Sequence, residues 1–134
     1  MTRHSLKTDV RTQFVEITTE VREAVYESKV KEGLCLVSCP HTTAAITIQE
    51  NADPDVVHDM LLWLNRHIPK DFPGFRHAEG NSDSHIKASL IGPGVTIPIT
   101  KGELAFGTWQ GIYFCEFDGP RMRSFAVTVI GAKT

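Results

Sequence analysis

From residue 95 to residue 130 the chain is strand after strand. Segments 95–100, 103–106, 108–117 and 122–130 are rich in β-branched and aromatic residues. The breaks fall at Lys101-Gly102 and Asp118-Gly119-Pro120. Such a series predicts antiparallel hairpins, because short turns join antiparallel neighbours while parallel strands need long crossovers. The residues before 95 must then supply whatever covers these strands.

They read as a mixture. Residues 4–17 alternate well enough for two short strands, with Phe14, Val15 and Ile17 in the second. Thr18-Thr19 offers an N-cap, Val21, Ala24, Val25 and Ser28 follow at helical spacing, and Gly33 stands where a C-terminal cap belongs. The apolar run 34–39 reads as a buried strand and 44–48 as another, which leaves His41 at a strand connection. Asp53-Pro54 is an N-cap followed by proline at the first helical position. Val56, Val57, Met60, Leu61 and Leu64 trace that helix's apolar stripe, and Pro69 ends it. A polar loop over 70–81 carries His77. Asn81 or Ser82 caps a short helix with His85 in its first turns, and Gly92-Pro93-Gly94 breaks the chain. The order β-β-α-β-β-α-α-β-β-β-β predicts an α+β fold.

At 134 residues the chain reads as one domain over 1–134, long enough to bury a core without staples. Net charge is −2 with acids and bases interspersed, and no basic stripe or aromatic ladder points to nucleic acid. No segment is long and apolar enough to span a bilayer, and the first residues have no apolar run of a secretory signal. Three cysteines do not form a disulfide framework, so a reducing cytoplasm is expected.

Three histidines stand in distinctive polar segments: His41 in Pro40-His41-Thr42-Thr43, His77 in Arg76-His77-Ala78-Glu79-Gly80-Asn81, and His85 in Asp83-Ser84-His85. Imidazole binds borderline metals and moves protons near neutral pH. Their spacing leaves two readings open, a zinc site with an open fourth position or a set of surface and hydrogen-bonding histidines. His4, His58 and His67 read as solvated.

Several segments together resemble the YjbQ-like family, also called the secondary thiamine-phosphate synthase enzyme family. They are His41-Thr42-Thr43-Ala44-Ala45, Glu50-Asn51-Ala52-Asp53-Pro54, the stretch from His77 to His85, Gly107-Thr108-Trp109-Gln110, and Glu116 through Arg123. The resemblance implies mostly antiparallel, sandwich-like sheets with two main helices and a short third, assembled as a homotrimer. It also implies a divalent metal, zinc or, with a pyrophosphate substrate, magnesium. The implied activity is metal-dependent and acts on phosphorylated small molecules. In its specific form it joins a pyrimidine diphosphate to a thiazole phosphate. The rival readings are a metal-assisted hydrolase and a non-catalytic trimeric binding protein with a structural metal.

On that resemblance His41, His77 and His85 are the expected metal ligands, with Glu50, Asp53 and Asn81 as candidates to orient them. Glu50 and His41 are the expected catalytic groups. Arg121 and Arg123, two apart on an expected strand, suit a phosphate; the alternative is pairing to Glu116 and Asp118. Trp109 offers a stacking surface or belongs to the core, and Gln110 and Asn81 offer amides to a substrate. Cys39, two residues before His41, is a rival nucleophile or a buried inert thiol.

Overall fold

The computed structural model describes residues 1–133. Among them, eight strands and three helices follow in the expected order. They are β1 (Thr2–Lys7), β2 (Gln13–Glu16), α1 (Thr18–Ser28), β3 (Gly33–Ser38), β4 (Ala44–Glu50) and α2 (Pro54–His67). Then come α3 (Ser82–Ile91), β5 (Gly94–Thr100), β6 (Glu103–Leu104), β7 (Gln110–Glu116) and β8 (Met122–Gly131). Two sheets form, with strand orders β1-β8-β3-β5-β6 and β2-β7-β4, and their pairings are antiparallel.

The expected series of hairpins holds for β5 and β6 and fails after that. β7 is held on both edges by β2 and β4, so β8 joins the other sheet beside β1 and β3. Residues 117–121 are therefore a strap between sheets and not a hairpin turn. A local turn signal shows that the chain reverses, but not which edge is free to receive the next strand.

β7 is buried on both faces, which explains its nearly unbroken apolar sequence. Ile112 and Phe114 join Val37, Phe125 and Val127 in the core between the sheets. Tyr113 and Cys115 face the other way, onto Leu64 of α2 and Ala88 of α3. Val21, Ala24 and Val25 of α1 complete the first core. β3, expected to be buried throughout, instead alternates. Cys35 and Val37 point inward, while Leu34 and Leu36 are 49% and 40% exposed on the outer face.

The helix ends follow their chemistry unevenly. The Asp53 carboxylate accepts the Asp55 N–H at 2.9 Å, with Pro54 opening α2, as expected. α1 does not use Thr18 or Thr19 as its cap; it starts after Ile17 and closes on Lys29 at φ 61°, while Gly33 already belongs to β3. Asn81 occupies the N-cap of α3, yet its side chain makes no capping bond, because its amide is drawn elsewhere.

Candidate functional site

β3 and β8 part after the pair Ser38↔Ala126. Continuing the register would set Pro40 opposite Ser124, but the chain turns away there. The Ser124 N–H donates instead to Nε2 of His41 at 3.0 Å. A neutral imidazole that accepts at Nε2 carries its proton on Nδ1. Burial, and then the nearby Arg123 charge, push the His41 pKa below the ordinary histidine value. The ring is therefore neutral at pH 7 and presents an N–H.

His41 lines a cavity of about 310 Å³ together with Asn81, His85, Asp118, Arg121 and Arg123. Both arginines reach this cavity, and both are paired to carboxylates, as one of the two readings expected. Arg121 donates from Nε to the Asp118 carbonyl at 2.9 Å and from Nη2 to the Asp118 carboxylate at 3.0 Å, and its side chain is half exposed. Arg123 is buried; its Nε and Nη2 donate to Glu116, and Nη2 also donates to Thr43 Oγ1 at 2.8 Å. In each fork Nη1 has no protein acceptor among the described residues.

Glu116 is the anchor behind this wall. It is fully buried and accepts from Arg123, from the Thr8 hydroxyl at 2.7 Å and from the Asp118 N–H at 3.0 Å. Burial opposes its ionisation, but these donors prevail and hold its pKa below the ordinary value. Thr8 in turn clamps Arg121 by its backbone, donating its N–H to the Arg121 carbonyl and accepting the Arg121 N–H at Oγ1, both at 3.0 Å. Gly119 lies so close to this clamp that an added Cβ would sit 2.5 Å from the Val10 carbonyl oxygen and 2.8 Å from Thr8 Oγ1. In the sequence Glu116 is offered only as a pairing partner for the arginines, and Thr8 is not singled out. The available signal is that Glu116 is the one charged residue in the apolar run 110–117.

A second buried network fixes α3. Asp83 takes both Arg11 nitrogens at 3.0 Å and Lys87 Nζ at 2.9 Å, and Ser84 Oγ donates to the Phe117 carbonyl of the strap. His85, on the next residue, is thereby held at the cavity. His77 does not line the cavity; it stands edge-on to His85 with ring centroids 5.5 Å apart and 3.8 Å from Glu79. The Asn81 amide donates to Asp118 at 2.7 Å, so one carboxylate joins α3 to Arg121.

The remaining expected site residues lie elsewhere. Glu50 pairs with Gln110 at one end of β4 and β7, while Ala44 pairs with Glu116 at the other. Six residues of strand separate the two ends, about 20 Å. Glu50, Trp109 and Gln110 are thus not brought to the histidines within one chain. Gln110 spends its side-chain oxygen on the Gly107 N–H, and Trp109 is 62% exposed rather than core. Cys39 is buried, and desolvation raises its pKa, which makes it a poor nucleophile.

The residues do not fit the expected metal. Among the described residues no group of three or more His, Cys, Asp or Glu is arranged to hold an ion. His41 has its Nε2 occupied by Ser124, and His77 and His85 meet as a ring contact.

The chain matches the family described as UPF0047 protein YjbQ-like over residues 2–132. It is 53% identical to a UPF0047 protein of Methanocaldococcus jannaschii over 131 residues, covering 98% of this chain and 94% of that one. It is 46% identical to UPF0047 protein YugU of Bacillus subtilis, covering 94% and 96%. A crystal structure of a YjbQ/UPF0047 family protein from Clostridium acetobutylicum superimposes with TM-score 0.95 at 54% identity, over 97% and 100% of the chains. One from Sulfolobus solfataricus gives 0.93 at 30% identity, over 98% and 96%, and is described as a YjbQ-like protein of unknown function.

These findings correct the functional expectation. The relatives bear family designations without an activity, and the donor set for a metal is not assembled. The metal-dependent synthase reading falls, and the hydrolase and structural-metal readings fall with it. Among the described residues, no helix is long and apolar enough to cross a membrane.

Proposed function

The chain belongs to the UPF0047 YjbQ-like family, and from the chemistry of its cavity we propose an enzyme that performs acid–base chemistry on a small molecule held by an oxyanion. The observation that carries this reading is the Ser124-to-His41 hydrogen bond. It makes His41 a neutral donor at Nδ1, suited to a carbonyl or other oxygen on which charge develops. The free Nη1 groups of Arg121 and Arg123 hold the oxyanion. His85, edge-on to His77, is the group placed to move a proton.

Inorganic phosphate is the first probe. Titrated into the protein and followed by histidine ring NMR, it shifts His41 and His85 in the wild type. Arg121→Ala weakens its binding by about tenfold, the size of one charge-assisted hydrogen bond. Phosphate that leaves both rings unmoved overturns the reading.

For assembly we propose a homotrimer, as the family resemblance implies. Leu34 and Leu36 on β3 and Ile130 on β8 lie uncovered on the outer sheet face, and packing against further copies buries them. Sedimentation as a monomer at micromolar concentration rejects this.

A further inference from the structure

We infer that the cavity's ligand is zwitterionic, a small molecule with an oxyanion and an ammonium group a few bonds apart; this rests on the oxyanion reading above. The first ground is charge. Each guanidinium at the cavity already has its own carboxylate, Arg121 with Asp118 and Arg123 with Glu116. The wall therefore offers directed N–H groups without a surplus of positive charge. A bare anion entering it loses hydration and gains little Coulombic return. A ligand that brings its own cation keeps the site neutral.

The second ground is an acceptor without a donor. Asn81 is 7% exposed and lines the cavity, and its Oδ1 is buried with no hydrogen-bond partner among the described residues. Flipping the amide does not cure this, because Nδ2 donates to Asp118 at 2.7 Å and the flip would set oxygen against a carboxylate. Nor does the α3 backbone supply the missing donor, since Asn81 makes no side-chain cap bond. A buried orphan acceptor is costly, and an entering N–H group relieves the cost.

Two carboxylates stand on the same side. Asp118 Oδ2 is occupied by Asn81 and Arg121, while Oδ1 takes no donor among the described residues; Glu79 Oε2 lies 3.5 Å from Asn81 Nδ2 on an exposed side chain that can swing aside. Asn81, Asp118 and Glu79 thus form an accepting side next to the donating side of His41, Arg121 and Arg123. Asp118 touches both, so the ligand's two charges are close together.

Calorimetry with matched probes tests this. O-phosphoethanolamine is compared with ethyl phosphate, and β-alanine with propionate; each pair differs by the ammonium, and the two pairs separate a phosphate from a carboxylate oxyanion. The aminated member of at least one pair binds about tenfold more tightly, as expected of a charged hydrogen bond. Glu79→Gln and Asn81→Ala each cut that ratio of affinities within a pair at least threefold. If Asn81→Ala does not fold, Glu79→Gln decides. Equal affinities within both pairs, or an advantage that survives the variants, overturn the zwitterion and leave the oxyanion reading standing. Failure of all four probes to bind overturns both.

Discussion

Nε2 of His41 accepts the Ser124 N–H at 3.0 Å, and this bond closes the open end of the β3–β8 ladder. It links a fold-level need to a site-level property. A strand N–H that lost its partner when the chain turned at Pro40 is satisfied by a ring, and the ring's tautomer is thereby set.

That bond gives His41 a measurable share of stability. His41→Ala leaves the Ser124 N–H unpaired in a half-buried place, and the expected loss is about 1–2 kcal/mol. His41→Gln, whose side-chain oxygen accepts, recovers part of it. Chemical denaturation reads both, and an unchanged midpoint in His41→Ala denies the bond its role.

Glu116 carries more. Glu116→Gln leaves the buried Arg123 charge without its carboxylate, and removal of one member of a buried pair costs about 3–5 kcal/mol. Arg121→Ala, which breaks a half-exposed pair with Asp118, costs about 0–1 kcal/mol by the same denaturation measurement. Equal losses in the two variants would contradict the assignment of Glu116 as the anchor.

Much of this was legible in the residues, for identifiable reasons. Asp53-Pro54 announced α2 because capping is local chemistry, and the element order followed from periodicity. His41, His85, Asn81, Arg121 and Arg123 were each singled out, and the fold brings them to one cavity. The crossing of β7 and β8 into separate sheets was not legible, since Asp118-Gly119-Pro120 marks a reversal without naming its destination. Glu50 and Trp109 were drawn to the histidines by motif membership, whereas register sets them at the far end of β4 and β7. Glu116 is legible only as a pairing partner for the arginines; its role as anchor is not, because Thr8, which also donates to it, comes from a segment 108 residues away.

Acid weakens the fold from two directions with one sign. Glu116 and Asp83 have folded pKa values below their ordinary 4.5 and 3.8, because Arg123 and Arg11 with Lys87 outweigh the desolvation that opposes them. Their stabilisation is fully present above those ordinary values and is lost as pH falls through the lowered ones. His41, also lowered, adds a smaller loss that begins as pH drops below 6.5. The melting temperature therefore declines gently below pH 6.5 and steeply below about pH 4.5. Glu116→Gln flattens the steep part; an undiminished acid limb in that variant would remove Glu116 from the account.

Gly119 tests the strap. Gly119→Ala places a methyl against the Val10 carbonyl and the Thr8 hydroxyl, atoms that cannot both move without releasing Arg121. The expected result is a loss of about 1–3 kcal/mol together with weaker phosphate binding. Trp109→Ala, some 20 Å along the sheet, leaves phosphate binding unchanged. Weakened binding in Trp109→Ala with normal binding in Gly119→Ala would reverse this map of the site.

The central claim is the state of the His41 ring, and long-range ¹H–¹⁵N correlation spectra of the histidine side chains at pH 7 test it most directly. The account predicts a neutral ring with Nδ1 protonated and Nε2 unprotonated, retained when zinc is added at equimolar concentration. A ring protonated at Nε2, or a His41 resonance that moves to a metal-bound position with zinc, would contradict it.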